Sequence, residues 1–284
     1  MQFLGRLMDH VLAQRGERTT VVVATSGDTG GAAVEAFRGR AQADLIVLFP
    51  RGRISEVQRR MMTCADDANV HALAIEADIT QPQSVRSACA RILQHLGRID
   101  ILINNAANNP KMEASDKVNF ARLENFPLAQ WEADLSVGLT GAFLCAQVFG
   151  EVMARQGRGV ILNVASDLAL IAPDQRLYRK DGLPAERQPV KPVTYSVVKS
   201  GLIGLTRYLA TYWCEQGVRC NAISPGGVFD GQSDEFVRRV SALIPLGRMA
   251  RVDEYQGTIV FLCSDASSYM TGSNLVIDGG RSCW

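Results

Sequence analysis

Short apolar runs alternate with amphipathic segments along most of the chain. Apolar residues recur at helical spacing over residues 2–15 and stop at Gly16, and a β-branched run follows at residues 21–24. The same alternation predicts strands at residues 21–24, 44–49, 70–76, 100–104, 160–164, 219–223 and 275–277, and helices at residues 2–15, 32–38, 55–62, 84–96, 128–154 and 195–215.

Strands that alternate with helices favour a parallel sheet covered by helices on both faces. We therefore predict an α/β fold: a three-layer, doubly wound, Rossmann-type parallel sheet of about seven strands, in a single domain over residues 1–284. Right-handed crossovers should place the strand at residues 21–24 between those at 44–49 and 100–104. The helix at residues 2–15 should pack on the sheet.

Composition narrows the class of partner. The chain has 30 Lys+Arg against 29 Asp+Glu, a formal net charge of +1, and no basic block, so we expect no nucleic-acid partner. Its seven cysteines are scattered without metal-ligand spacing, which indicates reduced thiols in the cytoplasm and no metal site. Charged residues interrupt the N-terminal apolar stretch, and no run approaches a membrane span in length, so we expect a soluble protein without a membrane partner.

Tyr195 and Lys199 are the first candidate catalytic pair. They lie four residues apart on a predicted helix and so share one face. An ammonium beside a phenol favours the phenolate, so we expect a lowered pKa for Tyr195 and general acid/base catalysis near neutrality.

From Asp78 onward the chain resembles the short-chain dehydrogenase/reductase family. The matching pieces are Asp78 after the third strand, N-N-A-A at residues 104–107, Ser166 after the fifth strand, the Y-x-x-x-K of Tyr195 and Lys199, and P-G at residues 225–226. The resemblance implies a Rossmann-type fold, NAD(P) as cofactor, and a homodimer or homotetramer.

The resemblance also implies residue roles. Ser166, Tyr195 and Lys199 would be catalytic, with Ser166 donating a hydrogen bond to the substrate oxygen and Lys199 also holding the nicotinamide ribose. The cofactor would be bound by Thr25, Ser26, Gly27, Thr29, Gly30, Arg51, Asp78, Asn104, Ala106, Pro225 and Gly226.

Two departures from the family pattern bear on activity. The glycine motif T-G-x-x-x-G-x-G corresponds here to Thr25, Ser26, Gly30 and Ala32, so one of its three glycines is kept, and Asp28 adds a negative charge. Gly138 stands where the family usually has a catalytic asparagine. We therefore expect poor dinucleotide affinity, and either slow turnover or a water that bridges directly.

Residues 1–76 show a second resemblance, to threonine synthases, through V-V-V-A-T-S-G-D-T-G-G-A-A and L-F-P-R-G-R-I-S. In that family the S-G-D-T-G segment binds the phosphate of pyridoxal phosphate, but the Schiff-base lysine is absent here, so pyridoxal phosphate is not expected as a cofactor. The resemblance suggests a chimera joined near residues 76–78. The alternative to an active oxidoreductase is then an engineered chimera of threonine synthase and dehydrogenase fragments that folds with little or no activity.

Basic residues bear on cofactor and substrate choice. Arg51 follows the second strand, where an arginine suits the 2′-phosphate of NADP, although simple solvation of this side chain explains it about as well. NADP is favoured over NAD by a small margin.

The connection from Ser166 to Tyr195 spans 195 − 166 = 29 positions, longer than is usual in the family. This insertion carries five basic residues: Arg176, Arg179, Lys180, Arg187 and Lys191. Its positive charge favours anionic substrates such as sugar phosphates, and a subunit-interface loop is the somewhat favoured alternative. The predicted function is NAD(P)-dependent hydride transfer on a carbonyl or alcohol of a polar, sugar-like substrate that could be anionic.

Overall fold

Seven parallel strands form a sheet at the centre of the described part of the molecule. The computed structural model describes residues 2–24, 34, 37, 40–49, 73–108 and 121–284. The strands are β1 (Thr19–Ala24), β2 (Ala43–Phe49), β3 (Leu73–Glu76), β4 (Ile101–Asn104), β5 (Gly159–Val164), β6 (Val218–Pro225) and β7 (Asn274–Ile277). Their order in the sheet is β3-β2-β1-β4-β5-β6-β7, and each neighbouring pair is parallel. The predicted fold class, strand count and position of β1 between β2 and β4 are confirmed.

The central strands are apolar on both sides because helices cover both faces of the sheet. All six residues of β1 are buried. Val22 belongs to one core cluster with Ile46 and Phe149, while Val21 and Val23 face the other cluster. Successive side chains of a strand point to opposite faces, so a continuous β-branched run is what a doubly covered parallel sheet requires.

The helices of the described residues are α1 (Gln2–Arg15), α2 (Pro82–Leu96), α3 (Leu128–Leu135), α4 (Gly141–Gln156), α5 (Val193–Tyr212), α6 (Asp234–Ser241) and α7 (Gln256–Cys263). Met8 and Leu12 of α1 are buried in the cluster that contains Val21 and Val23, so the expected packing of α1 on the sheet is confirmed. The sequence pattern missed α6 and α7. The helices predicted at residues 32–38 and 55–62 lie outside the described residues, apart from Val34 and Phe37, which are helical.

The helix predicted at residues 128–154 is interrupted by a turn of π-helix, Ser136–Thr140, between α3 and α4. Contrary to our expectation, Leu128–Gln156 is long and apolar enough to span a membrane by length and composition, although 56% of its most apolar window is buried inside the protein. Phe149 and Met153 of α4 are fully buried in the core cluster of the sheet. This packing is that of a core helix.

Candidate active site

The candidate residues gather where the central strands end. Asn104 is the last residue of β4, Ser166 follows β5, and Pro225 ends β6. The carboxyl ends of parallel strands lie at one edge of the sheet, and the strand order reverses direction between β1 and β4, which opens a crevice at that edge. Helix α5 contributes Tyr195 and Lys199 to the same edge.

The structure brings Ser166, Tyr195 and Lys199 close together. The Lys199 ammonium is buried, donates a hydrogen bond to the Val164 carbonyl oxygen at 2.6 Å, and lies 5.9 Å from the centroid of the Tyr195 ring. The phenol of Tyr195 is hydrogen-bonded to Ser166. The three side chains therefore surround one space beside the end of β5.

The pKa of Tyr195 differs from our expectation. Burial raises it, a hydrogen bond with Ser166 lowers it, and the negative charge of Asp167 raises it, with a net upward shift. The expected lowering is wrong because the loss of water around the phenolate outweighs the favourable contacts. Burial and repulsion by Lys191 lower the pKa of Lys199 to about 8.

Ser166 is held by its neighbour in sequence. Its hydroxyl donates a hydrogen bond to Asp167 Oδ1 at 2.8 Å and accepts one from the Leu168 amide at 3.2 Å. Asp167 Oδ2 accepts a hydrogen bond at 2.9 Å from the guanidinium of Arg281, and the two side chains are 4% and 10% exposed. Sequence reasoning missed this buried ion pair, and an acid directly after Ser166 is the one sequence signal that points to it.

Lys191 brings a second ammonium to the site. Its Nζ lies 3.9 Å from the centroid of the Tyr195 ring, a cation–π geometry. Burial lowers the pKa of Lys191, the nearby Asp167 carboxylate partly opposes this, and the net pKa is about 8. The end of the insertion therefore reaches the phenol of Tyr195.

The rest of the insertion packs against α6. Leu177 shares a small buried cluster with Val240, Ile244 and Met249. The rings of Tyr178 and Phe236 are 5.8 Å apart, and Arg239 donates a hydrogen bond at 2.6 Å to the Arg179 carbonyl. The exposed Arg176 pairs with Asp174. The insertion and α6 thus form one cap beside the candidate catalytic residues.

A buried chain of amides and a hydroxyl connects β4, β5 and α5 beneath the site. Asn104 Nδ2 donates to Asn163 Oδ1 at 2.9 Å, Asn163 Nδ2 donates to Thr206 Oγ1 at 2.8 Å, and Thr206 donates to the Leu202 carbonyl at 2.7 Å. Asn104 Oδ1 is buried and has no hydrogen-bond partner among the residues that the structure describes. The sequence prediction included Asn104 but not Asn163 or Thr206, whose separation in sequence hides the connection.

Buried Asp134 of α3 makes a second polar connection. It accepts hydrogen bonds from Thr194 Oγ1 at 2.6 Å, Gln130 Nε2 at 2.7 Å and Asn108 Nδ2 at 3.2 Å. Thr194 directly precedes Tyr195, and Asn108 lies in the segment after β4. Asp134 therefore connects the loop at the end of β4 to the start of the helix that carries Tyr195.

The other predicted cofactor residues differ in what surrounds them. Asp78 is exposed and accepts hydrogen bonds at 2.9 and 2.7 Å from the amide and hydroxyl of Thr80. Ala106 packs on the core cluster, and a Cβ at Gly226 would lie 2.9 Å from the Asp278 Cα, which explains a glycine there. The remaining predicted cofactor residues lie outside the described residues: Thr25, Ser26, Gly27, Thr29, Gly30 and Arg51.

Comparison with known proteins decides the family. A model described as short chain dehydrogenase matches residues 19–177, and one described as enoyl-(acyl carrier protein) reductase matches residues 184–282. The chain belongs to the short-chain dehydrogenase/reductase family. It is an NAD(P)-dependent oxidoreductase, whose chemistry is hydride transfer at a carbonyl or alcohol carbon.

Two relatives and one solved structure illustrate the similarity. The D-threitol dehydrogenase of Mycolicibacterium smegmatis is 35% identical over 211 residues, which are 72% of this chain and 70% of that protein. The NAD-dependent glycerol dehydrogenase of Listeria innocua is 29% identical and covers 93% of both chains. A short chain dehydrogenase from Leptospira borgpetersenii, solved with bound NAD+, is 30% identical with a TM-score of 0.75 and covers 94% of both chains.

These matches also bear on residues 1–76. The dehydrogenase model begins at residue 19, so most of the segment that resembles threonine synthases is matched as dehydrogenase. Its strands β1, β2 and β3 belong to the same sheet as β4 to β7. The matches give no support to the hypothesis of an inactive chimera.

Proposed function

We propose that this oxidoreductase uses Tyr195 as its general acid/base, with Ser166 and Lys199 beside it. The observation that carries the proposal is the convergence of these three side chains at the ends of the central strands. During oxidation the substrate hydroxyl transfers its proton to the Tyr195 phenolate as the carbinol carbon gives up a hydride. During reduction the phenol returns the proton to the carbonyl oxygen.

A nicotinamide dinucleotide fits the crevice between β1 and β4. Strand order reverses there, and within the described part of the chain the buried Asn104 Oδ1 at that point lacks a hydrogen-bond partner. When bound, the nicotinamide accepts or supplies the hydride. Lys199 would hold its ribose, Asp78 would meet the adenine, and the cofactor would also be held by Thr25, Ser26, Gly27, Thr29, Gly30, Asn104, Ala106, Pro225 and Gly226.

Between the two cofactors we propose NADP by a small margin, because Arg51 and Arg53 follow β2 in the sequence and an arginine there suits the 2′-phosphate. The glycerol dehydrogenase of Listeria innocua is described as NAD-dependent and the Leptospira borgpetersenii structure contains NAD+, so the test must compare both cofactors. Replacement Arg51→Ala should weaken NADPH and leave NADH unchanged in steady-state titrations. An equal effect on both would contradict contact of Arg51 with the 2′-phosphate.

The proposed substrate is a polyhydroxylated alcohol or its carbonyl form that carries an acidic group. Relatives described as threitol and glycerol dehydrogenases support the polyol part. Lys191 supports the acidic group, since its ammonium lies 3.9 Å from the ring centroid of Tyr195 and can meet an anion beside the reacting carbon.

The experiment that tests this function is Tyr195→Phe. Loss of a general acid should reduce kcat by roughly two orders of magnitude or more, with an unchanged melting temperature. Tyr208→Phe, on the exposed face of the same helix, is the matched control and should retain full turnover. Unchanged turnover in Tyr195→Phe would show that another group moves the proton.

We also propose a single domain over residues 1–284, a homodimer or homotetramer, and a cytoplasmic location. Tyr208 and Tyr212 are about 60% exposed with rings 5.6 Å apart, and with exposed Phe143 they supply apolar surface that supports association. Sedimentation of the purified protein tests the oligomer.

A threonine synthase origin for residues 1–76 stays a prediction that rests on its sequence motifs.

A further inference from the structure

The carboxylate of Asp167 is hydrogen-bonded to the Ser166 hydroxyl and lies close enough to the Tyr195 phenol to affect its pKa. One carboxylate oxygen accepts hydrogen bonds from the Ser166 hydroxyl and from the Leu168 amide, each at 2.8 Å. The other binds the Arg281 guanidinium at 2.9 Å. With side chains 4% and 10% exposed, this is an ion pair removed from water.

The hydrogen bond fixes the direction of the Ser166 hydroxyl. A serine hydroxyl has one proton and two lone pairs, and in the structure the proton is directed at Asp167. The lone pairs accept the Leu168 amide and are left for a donor in the site, such as the Tyr195 phenol or a substrate hydroxyl. While the phenol holds its proton, Ser166 therefore presents an acceptor; once the phenol is ionised, the hydroxyl can donate to the phenolate, which is how the hydrogen bond with Ser166 lowers the pKa of Tyr195.

The carboxylate also acts through space on the phenol. The negative charge of Asp167 contributes to raising the pKa of Tyr195, after burial, the largest cause. The other charged or titratable groups around this phenol and carboxylate are Lys199 on α5, Lys191 and Tyr178 of the insertion, Arg281 after β7, and Tyr255 before α7.

Accepting the proposed function of Tyr195 and Ser166, we propose that Asp167 and Arg281 are positioning residues: Asp167 orients the Ser166 hydroxyl, and Arg281 limits the effect of that carboxylate on Tyr195. Removing the carboxylate should favour the phenolate, whereas removing the guanidinium should disfavour it. A pair with a purely structural role has no reason to act in opposite directions.

The test is the pH dependence of kcat/KM for polyol oxidation with NAD+ and D-threitol or glycerol, where the rate rises as Tyr195 loses its proton. Asp167→Asn keeps an acceptor for Ser166 and removes the charge, so the midpoint of this rise should move to lower pH by on the order of one unit. Arg281→Gln should move it to higher pH. The double variant should return toward the parent, and Arg281→Lys should keep the parent midpoint.

Three outcomes decide the inference. Opposite shifts with a restored double variant support it. Equal shifts in the two single variants, or no shift in either, overturn it, and so does an Arg281→Lys variant that behaves like Arg281→Gln. If one single variant does not fold, the direction of the shift in the other single variant still decides the inference, with Arg281→Lys as the control for the charge of Arg281. Activity that survives in Tyr195→Phe refutes the proposed function instead, so the two failures are distinct.

Discussion

Gly138 and Val198 fill one space between the π-helical turn and helix α5. A Cβ built on Gly138 would lie 2.5 Å from Cγ1 of Val198. Gly138 is buried, and Val198 lies directly before Lys199. The glycine at the position of the family's usual asparagine is thus matched by a bulky neighbour on the opposing helix.

This relationship predicts the stability of Gly138→Asn. The side chain would overlap Val198, and overpacking of this kind costs about 1–3 kcal/mol in free energy of unfolding. The double variant Gly138→Asn/Val198→Ala should recover most of that loss in urea unfolding. If Gly138→Asn alone is as stable as the parent, or the double variant recovers nothing, the contact with Val198 does not limit this position.

The fold was predictable because it depends on patterns that are local in sequence. The β-branched run of β1 and the helical spacing of α1 identify those elements without knowledge of their partners. Helix α6 was missed because its apolar stripe of Phe236, Val237 and Val240 spans only eight residues, which is too short a pattern to identify from spacing alone. Helix α7 was missed because it is apolar around most of its circumference, so it shows no stripe against a polar face.

The site was predictable only where a motif marks it. Tyr195 and Lys199 are four residues apart, so the helix itself brings them together. Asp167 and Arg281 are 114 residues apart, and their contact depends on where β5 and β7 place the following turns. The direction of the Tyr195 pKa shift was wrong for a related reason, because the spacing to Lys199 does not reveal how deeply the phenol is buried.

Lys191 predicts a pH-dependent preference for anionic substrates. With a pKa of about 8, its ammonium is charged below that pH and neutral above it. The ratio of kcat/KM for a sugar acid to that for the neutral polyol of the same carbon skeleton should therefore fall as pH rises through about 8. Lys199 also has a pKa of about 8, but its titration should affect both substrates equally and therefore cancels in the ratio.

Variants of Lys191 complete this test. Lys191→Met should lower the ratio several-fold at pH below 8 and abolish its pH dependence, as expected for the loss of a close charge pair. Lys191→Arg should keep a high ratio that no longer falls above pH 8, because a guanidinium stays charged. A ratio that is independent of pH in the parent enzyme would mean that Lys191 does not meet the substrate's charge.

Because of the buried hydrogen-bond chain beneath the site, the same Thr→Val substitution on α5 should destabilise the protein much more at Thr206 than at Thr211. Thr206→Val leaves Asn163 Nδ2 without its 2.8 Å acceptor in the interior, and an unsatisfied buried group costs about 1–3 kcal/mol in free energy of unfolding. Thr211→Val removes the same hydroxyl from an exposed position and should change stability by less than about 0.5 kcal/mol. Chemical denaturation of both variants measures the difference, and equal effects would argue against the network as a source of stability.

The glycine-rich loop gives the last prediction, which rests on the sequence because residues 25–33 lie outside the described residues. In the family's glycine motif, a Cβ at the position of Ser26 would stiffen the turn and one at the position of Ala32 would separate helix from strand, so both should displace amide groups from the cofactor's pyrophosphate. Asp28 adds repulsion on the order of 1 kcal/mol, or several-fold in affinity. Ser26→Gly/Ala32→Gly should therefore bind NADPH and NADH more tightly, and neutralising Asp28 should add to the gain.

The same change should lower the melting temperature, because each glycine costs roughly 0.5–1 kcal/mol in a helix or other ordered segment. Calorimetric titration of both cofactors into the parent and the repaired loop, with melting curves alongside, separates the two effects. Gly30→Ala is the matched control, since it removes the motif glycine that remains and should weaken binding further. If the parent already binds either cofactor with low-micromolar affinity, or the repaired loop binds no better, then the existing loop is an adequate cradle for the pyrophosphate, and the missing glycines do not limit this enzyme.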